Sequence, residues 1–203
     1  MRKTFKLIYN LFILIMLIIG IIKLVQKEYY LAFIWIIFTP IIMILPRNLY
    51  KINWINHKYN KKLLDLFEIF ILILLFTGAG LPLGLKYLPF DIDSYFHFLN
   101  GVSLTILFGI VYYIIKNRIT GREINKREIV LFAFISYIIF GVILWEKFQY
   151  YNDQIFGTKM FFDYFQDVNY DSMLDQIFGS LGNIFGSILI YFNFDNWLNK
   201  WRA

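Results

Sequence analysis

Cysteine is absent from the 203 residues, which excludes disulfides and thiolate metal sites and leaves redox compartment unmarked. Charge is scarce as well: Asp, Glu, Lys and Arg make up 17% of the chain, against 59% apolar residues. So little charge excludes an ordinary soluble domain and fits a polytopic membrane protein. The apolar run 7-LIYNLFILIMLIIGIIKLV-25 lacks a small-residue cleavage site and is followed by Gln26, Lys27, Glu28 and two tyrosines. It therefore reads as a retained span and not as a signal peptide. Neither an internal repeat nor a long linker divides the sequence, so residues 1–203 read as one integral membrane domain.

Six apolar segments are present, at about 7–25, 31–45, 66–88, 95–115, 129–148 and 173–192. Each approaches the roughly 20 residues of a bilayer crossing, except the second, which carries Pro40 and is expected to end at Pro46. The expected fold is all-α, a membrane bundle of about six transmembrane helices. The net charge of +6 is spread between spans, which points to anchoring in a lipid bilayer and away from nucleic acid. Fifteen of the twenty Lys and Arg fall at the N-terminus, at 47–62, at 116–127 and at the C-terminus. The three alternate connections hold only Lys27, Lys86, Lys147 and Lys159. By the positive-inside rule both termini are cytoplasmic. The excess of Ile, Phe, Asn and Lys matches an AT-rich bacterial genome, and the expected location is the bacterial inner (cytoplasmic) membrane.

Acids gather on the opposite side, where Glu28, Asp91, Asp93, Glu146, Asp153, Asp163, Asp167, Asp171 and Asp175 all fall. Insertion does not require that asymmetry. In 91-DIDSYFHFLNG-101, Asp93 and His97 share one helical face, and Gly101 continues the stripe. An Asp–His pair suits a proton relay, a general base, or a metal ligand with its orienter. A capping Asp93 beside an interfacial His97 is the plainer alternative. In 145-WEKFQYYND-153, Glu146, Gln149 and Tyr150 form one polar stripe within an aromatic belt, and a carboxylate at that depth calls for a partner. In 163-DYFQDVNYDSMLD-175, four aspartates recur every four residues. As one helix they would repel, so Asp163 and Asp167 are expected in a loop with Asn169, Asp171 near the N-cap of the last span, and Asp175 one turn inside. Asp167, Asp171 and Asp175 are candidate ligands for a divalent cation. His97, Asp93 and Glu146 are the candidate catalytic groups, with Gln149 and Asn183 as further polar members. The segment 78-GAGLPLG-84 is expected to interrupt the third span. Gly179, Gly182 and Gly186 line a small-residue face suited to close packing.

Together these elements resemble the YjdF-like family of bacterial inner-membrane proteins and, more distantly, the VanZ-like family. The resemblance rests on D-x-x-x-H-x-x-x-G at Asp93, His97 and Gly101, then on Glu146, and then on Asp167, Asp171, Ser172 and Asp175 before a Gly-rich span. It covers roughly residues 66–190. The YjdF-like pattern has a second carboxylate where Gln149 stands, and the VanZ-like pattern has an Asn where Gly179 stands. VanZ-like proteins are associated with glycopeptide (teicoplanin) resistance. The resemblance implies an architecture and a site without implying a reaction. Three roles follow from the residues: action on or binding of an envelope or lipid-linked substrate at the outer face, cation- or proton-coupled transport, and a non-catalytic membrane partner.

Overall fold

The structure, a computed structural model, describes residues 2–80, 92–157 and 168–202. Every regular element among them is helical, in the order α1 (Arg2–Val25), α2 (Tyr29–Tyr50), α3 (Asn53–Lys58), α4 (Lys61–Gly80), α5 (Ile92–Thr120), α6 (Lys126–Phe156) and α7 (Val168–Trp201). Helices satisfy their own backbone, which is what a chain in lipid requires. Among the described residues, α1, α2, α5, α6 and α7 are long and apolar enough to cross a membrane. Helix α4 covers the start of the expected third span, whose remainder lies outside the described residues. So does Pro82, and residues 78–80, expected to begin an interruption, are helical.

The chain divides into two compact units, Met1–Leu75 with Trp201–Ala203, and Phe76–Lys200. In the first unit α1 and α2 run antiparallel. The Tyr9 hydroxyl donates to the Met43 carbonyl at 2.6 Å near one end of the pair. Gly20 lies against α2 near the other, where an added Cβ would stand 2.5 Å from Ile36 Cγ1. Pro46 does not end α2, as the sequence led us to expect; the helix runs on to Tyr50. Neighbouring turns absorb the lost N–H of Pro40, and the turn before it widens to π-helix at Ile34–Phe38. Beside this pair Arg47 Nε donates to the buried Glu68 carboxylate on α4 at 2.6 Å, and its guanidinium stacks over Tyr9. The C-terminus is tied in by Asn60, whose amide N–H donates to the Trp201 carbonyl.

The second unit is built on α5, α6 and α7. A left-handed Gly121 and an Asn125 cap, which accepts from the Arg127 N–H, turn α5 back into α6. Helix α6 is one continuous helix with a π-helical stretch at Tyr137–Ile143. Apolar packing drives helix association weakly in lipid, so close contact and polar ties must hold these helices together. Glycine supplies the contact. A Cβ on Gly101 would collide with the Gly179 carbonyl, and one on Gly182 with the Phe98 carbonyl. Those carbonyls belong to rigid helices and cannot move aside. One turn away, the Thr105 hydroxyl lies 2.7 Å from both the Gly101 carbonyl and Asn183 Oδ1, while Asn183 Nδ2 donates to the Phe134 carbonyl at 3.3 Å. Farther along, Gly109 faces Ile190, Ile129 and Ala133, an apolar layer with no exposure. Beyond that layer charge returns, with Lys116 and Tyr112 on Glu128 and with Lys126 2.7 Å from Asp195.

Candidate functional site

The glycine crossing fixes what lies one turn beyond it. His97 is four residues before Gly101 on α5, and Asp175 is four before Gly179 on α7. Because the two glycines touch, those side chains meet. His97 Nε2 stands 3.2 Å from Asp175 Oδ2 and 4.0 Å from Asp93 Oδ1. One donor atom from each of the three residues lies within 4.8 Å of the others. Their side chains are 16–29% exposed, so the group is sheltered yet reachable.

Two carboxylates and an imidazole are hard and borderline donors suited to a divalent cation. Donors sharing one ion are separated by at most twice the metal–ligand distance. That limit is about 4.2 Å for zinc and about 5 Å for calcium. The Asp175–His97 edge meets both limits, and a small shift of the Asp93 carboxylate closes the set for a smaller ion. Three protein ligands leave coordination positions for water or substrate, as in catalytic metal sites. Without an ion, the same spacing lets the His97 ring donate to Asp175.

The structure brings together only part of the expected constellation. Asp93 is the second residue of α5 and lies within the first turn, so it is not the helix cap. Glu146 reaches α7 through Ser172, whose hydroxyl donates to Glu146 Oε2 at 2.7 Å. Ser172 in turn accepts from Gln176 at 3.4 Å. Glu146 is thus held against Ser172, the fifth residue of α7 and the sequence neighbour of Asp171, and is outside the three-ligand group. Gln149 lies half-buried on the same side of α6 as Glu146. Asp163 and Asp167 lie outside the described residues, as does the side chain of Asp171. The backbone of Asp171 is the fourth residue of α7, and Asn169, expected in a loop, is helical as well. Asn183 belongs elsewhere: it is buried two turns from Asp175 and ties three helices together.

Beyond Glu146, α6 keeps most of its polar side chains inward and exposes a largely aromatic face that also carries Lys147 and Gln154. Glu146, Gln149, Asn152 and Asp153 are sheltered, whereas Trp145, Phe148, Tyr151, Ile155 and Phe156 are exposed. That inversion is what a lipid-facing helix with a polar interior requires. Sequence reasoning missed two groups. Ser172 stood within the recognised acidic motif without a role of its own. Tyr137 is buried against both Gly141 and Gly179, and only the coincidence of those two glycines could have flagged it.

The family model described as "Predicted membrane protein (DUF2238)" matches residues 6–196, nearly the whole chain. YjdF is the known member of that family, so the YjdF-like part of the resemblance is supported and the VanZ-like part is not. No curated protein and no solved structure matches the chain.

Proposed function

Since the chain belongs to DUF2238, a family of predicted membrane proteins, we propose that it is a multi-pass protein of the bacterial inner membrane whose Asp93, His97 and Asp175 hold a divalent cation at the extracytoplasmic face. There the cation would bind or act on an envelope or lipid-linked substrate. The observation that carries this reading is the convergence of those three donors from two helices. A bound cation would act as a Lewis acid on a phosphoryl or carbonyl oxygen, or lower the pKa of a bound water. The chain's own groups would do the rest. Asp93 and Asp175 offset the ion's charge, and His97 gives it a nitrogen ligand. Glu146, oriented by Ser172, stands ready to take or give a proton at the same end of the unit.

The buried layer of Ile129, Ala133 and Ile190 supports a site reached from one end over a conduit through the unit. A transport path would need polar groups to continue past that layer. Both termini are read as cytoplasmic from the distribution of Lys and Arg.

The test is calorimetric titration of Zn2+ or Mn2+ into purified protein in detergent, comparing wild type with His97→Ala and Asp175→Asn. One equivalent bound by wild type, and binding at least about 100-fold weaker in each variant, is the expected outcome. Negligible or equal binding in all three would overturn the metal reading and leave an Asp–His proton relay.

A further inference from the structure

Resting on the cation-site reading, we propose that Tyr137 is the positioning residue of this site, its hydroxyl held for the Asp175 carboxylate so that Asp175 keeps the orientation in which it meets His97. The argument begins with space. Tyr137 is 3% exposed and opens the π-helical stretch of α6. Its ring lies along its own helix over Gly141, where an added Cβ would stand 2.7 Å from both Cδ2 and Cε2. Its hydroxyl then projects onto α7 at Gly179, inside the volume a Cβ there would fill. Two glycines on two helices are therefore both needed to seat one phenol. An apolar contact would not need such a seat, because a leucine could fill that volume without bringing an oxygen to α7.

The seat lies beside the ligands. Gly179 is one turn after Asp175, and its Cα side also faces the His97 carbonyl, 3.9 Å from the Cβ position. Asp175 and Gly179 are four residues apart on one face of α7, so the phenol oxygen seated at Gly179 stands on the same side of the helix as the Asp175 carboxylate. A phenol donates well to a carboxylate, and a donor fixed by packing restricts the carboxylate's rotamers. Outer-shell partners of this kind tune metal affinity by about 10–100-fold. Tyr137 also opens a π-helical stretch, a feature frequent at functional sites.

The experiment is a double-mutant cycle of Tyr137→Phe and Asp175→Asn, with Tyr137→Leu as a packing control. Zn2+ affinity and thermal unfolding of the metal-free protein are both measured. Tyr137→Phe keeps the ring and removes only the hydroxyl, so it is expected to weaken Zn2+ binding about tenfold. Its effect on the unfolding midpoint should largely vanish in the Asp175→Asn background, since coupled groups are non-additive. If Tyr137 merely fills space, Phe will behave as wild type, only Leu will be destabilised, and the effects of Phe and Asn will add; that result overturns the proposal. If wild type binds no Zn2+, the cation site fails by itself, and the unfolding cycle still decides whether Tyr137 and Asp175 act together.

Discussion

His97 Nε2 and Asp175 Oδ2 approach to 3.2 Å from different helices, and the contact exists because Gly101 and Gly179 touch one turn away. Side chains one turn from a close crossing inherit its geometry. Widening the crossing should therefore separate the donors. We expect Gly101→Ala and Gly182→Ala to cost about 1–3 kcal/mol, since the added methyl meets a backbone carbonyl that cannot rotate away. Both variants should lose cation affinity in parallel with stability. Unfolding in detergent combined with Zn2+ titration would check this; full affinity in a destabilised Gly101→Ala protein would contradict it.

Acid should strip the cation from the site. Each of Asp93, His97 and Asp175 must be deprotonated to act as a ligand, so binding releases protons and affinity falls as pH falls. A titration series from pH 8 to pH 5 should show progressively weaker Zn2+ binding, with proton release measurable from the buffer dependence of the heat. Affinity that is level across this range would count against ligation by these groups.

The buffered interior of the first unit gives a separate expectation. Glu68 is nearly fully buried and is met by Arg47, whose side chain is 35% exposed. Glu68→Ala strands the guanidinium beside Tyr9. We expect a loss of roughly 2–3 kcal/mol, below the ~3–5 kcal/mol of a fully enclosed pair because Arg47 keeps part of its solvation. Glu68→Gln, which retains an acceptor, should cost less. Denaturant unfolding of the two variants separates the outcomes, and equal stability of Ala and wild type would show that the pair contributes nothing.

The Thr105–Asn183 contact makes a further case. Asn183 satisfies both ends of its amide, so Asn183→Ala should cost about 1–2 kcal/mol, and adding Thr105→Val should cost little more. Simple additivity in thermal unfolding would argue that the two side chains are not partners.

The topology can be read directly, because the chain contains no cysteine to remove first. A single cysteine at the exposed Lys51 should react with a membrane-impermeant maleimide only after the cells are opened. One at the exposed Tyr151 should react in intact cells. The reverse pattern would invert the orientation.

Much of this was legible in the chain. Apolar runs of bilayer length marked most of the helices, and four-residue spacing placed Asp93, His97 and Gly101 on one stripe before any packing was known. The partner of that stripe was legible only as a list of aspartates, because spacing cannot say which turn of α7 would come opposite His97. Gly179 decided it. Pro46 misled, since α2 runs on past it to Tyr50 without breaking. Asn183 looked like a site residue because it is polar in an apolar span, but its amide is consumed by Thr105 and Phe134. The Arg47–Glu68 pair went unnoticed because its members sit in separate segments, each ordinary on its own flank.

The isoleucine and alanine layer around Gly109 has a kinetic implication. Among the described residues, Ile129, Ala133 and Ile190 close the packing around Gly109 on the inner side of the proposed cation site. If the proposed site takes a substrate at that end, such a layer would make product depart on the side from which substrate came. Turnover would then consume no membrane gradient and move no net charge across the bilayer. It would instead be set by how quickly the site exchanges one occupant for the next.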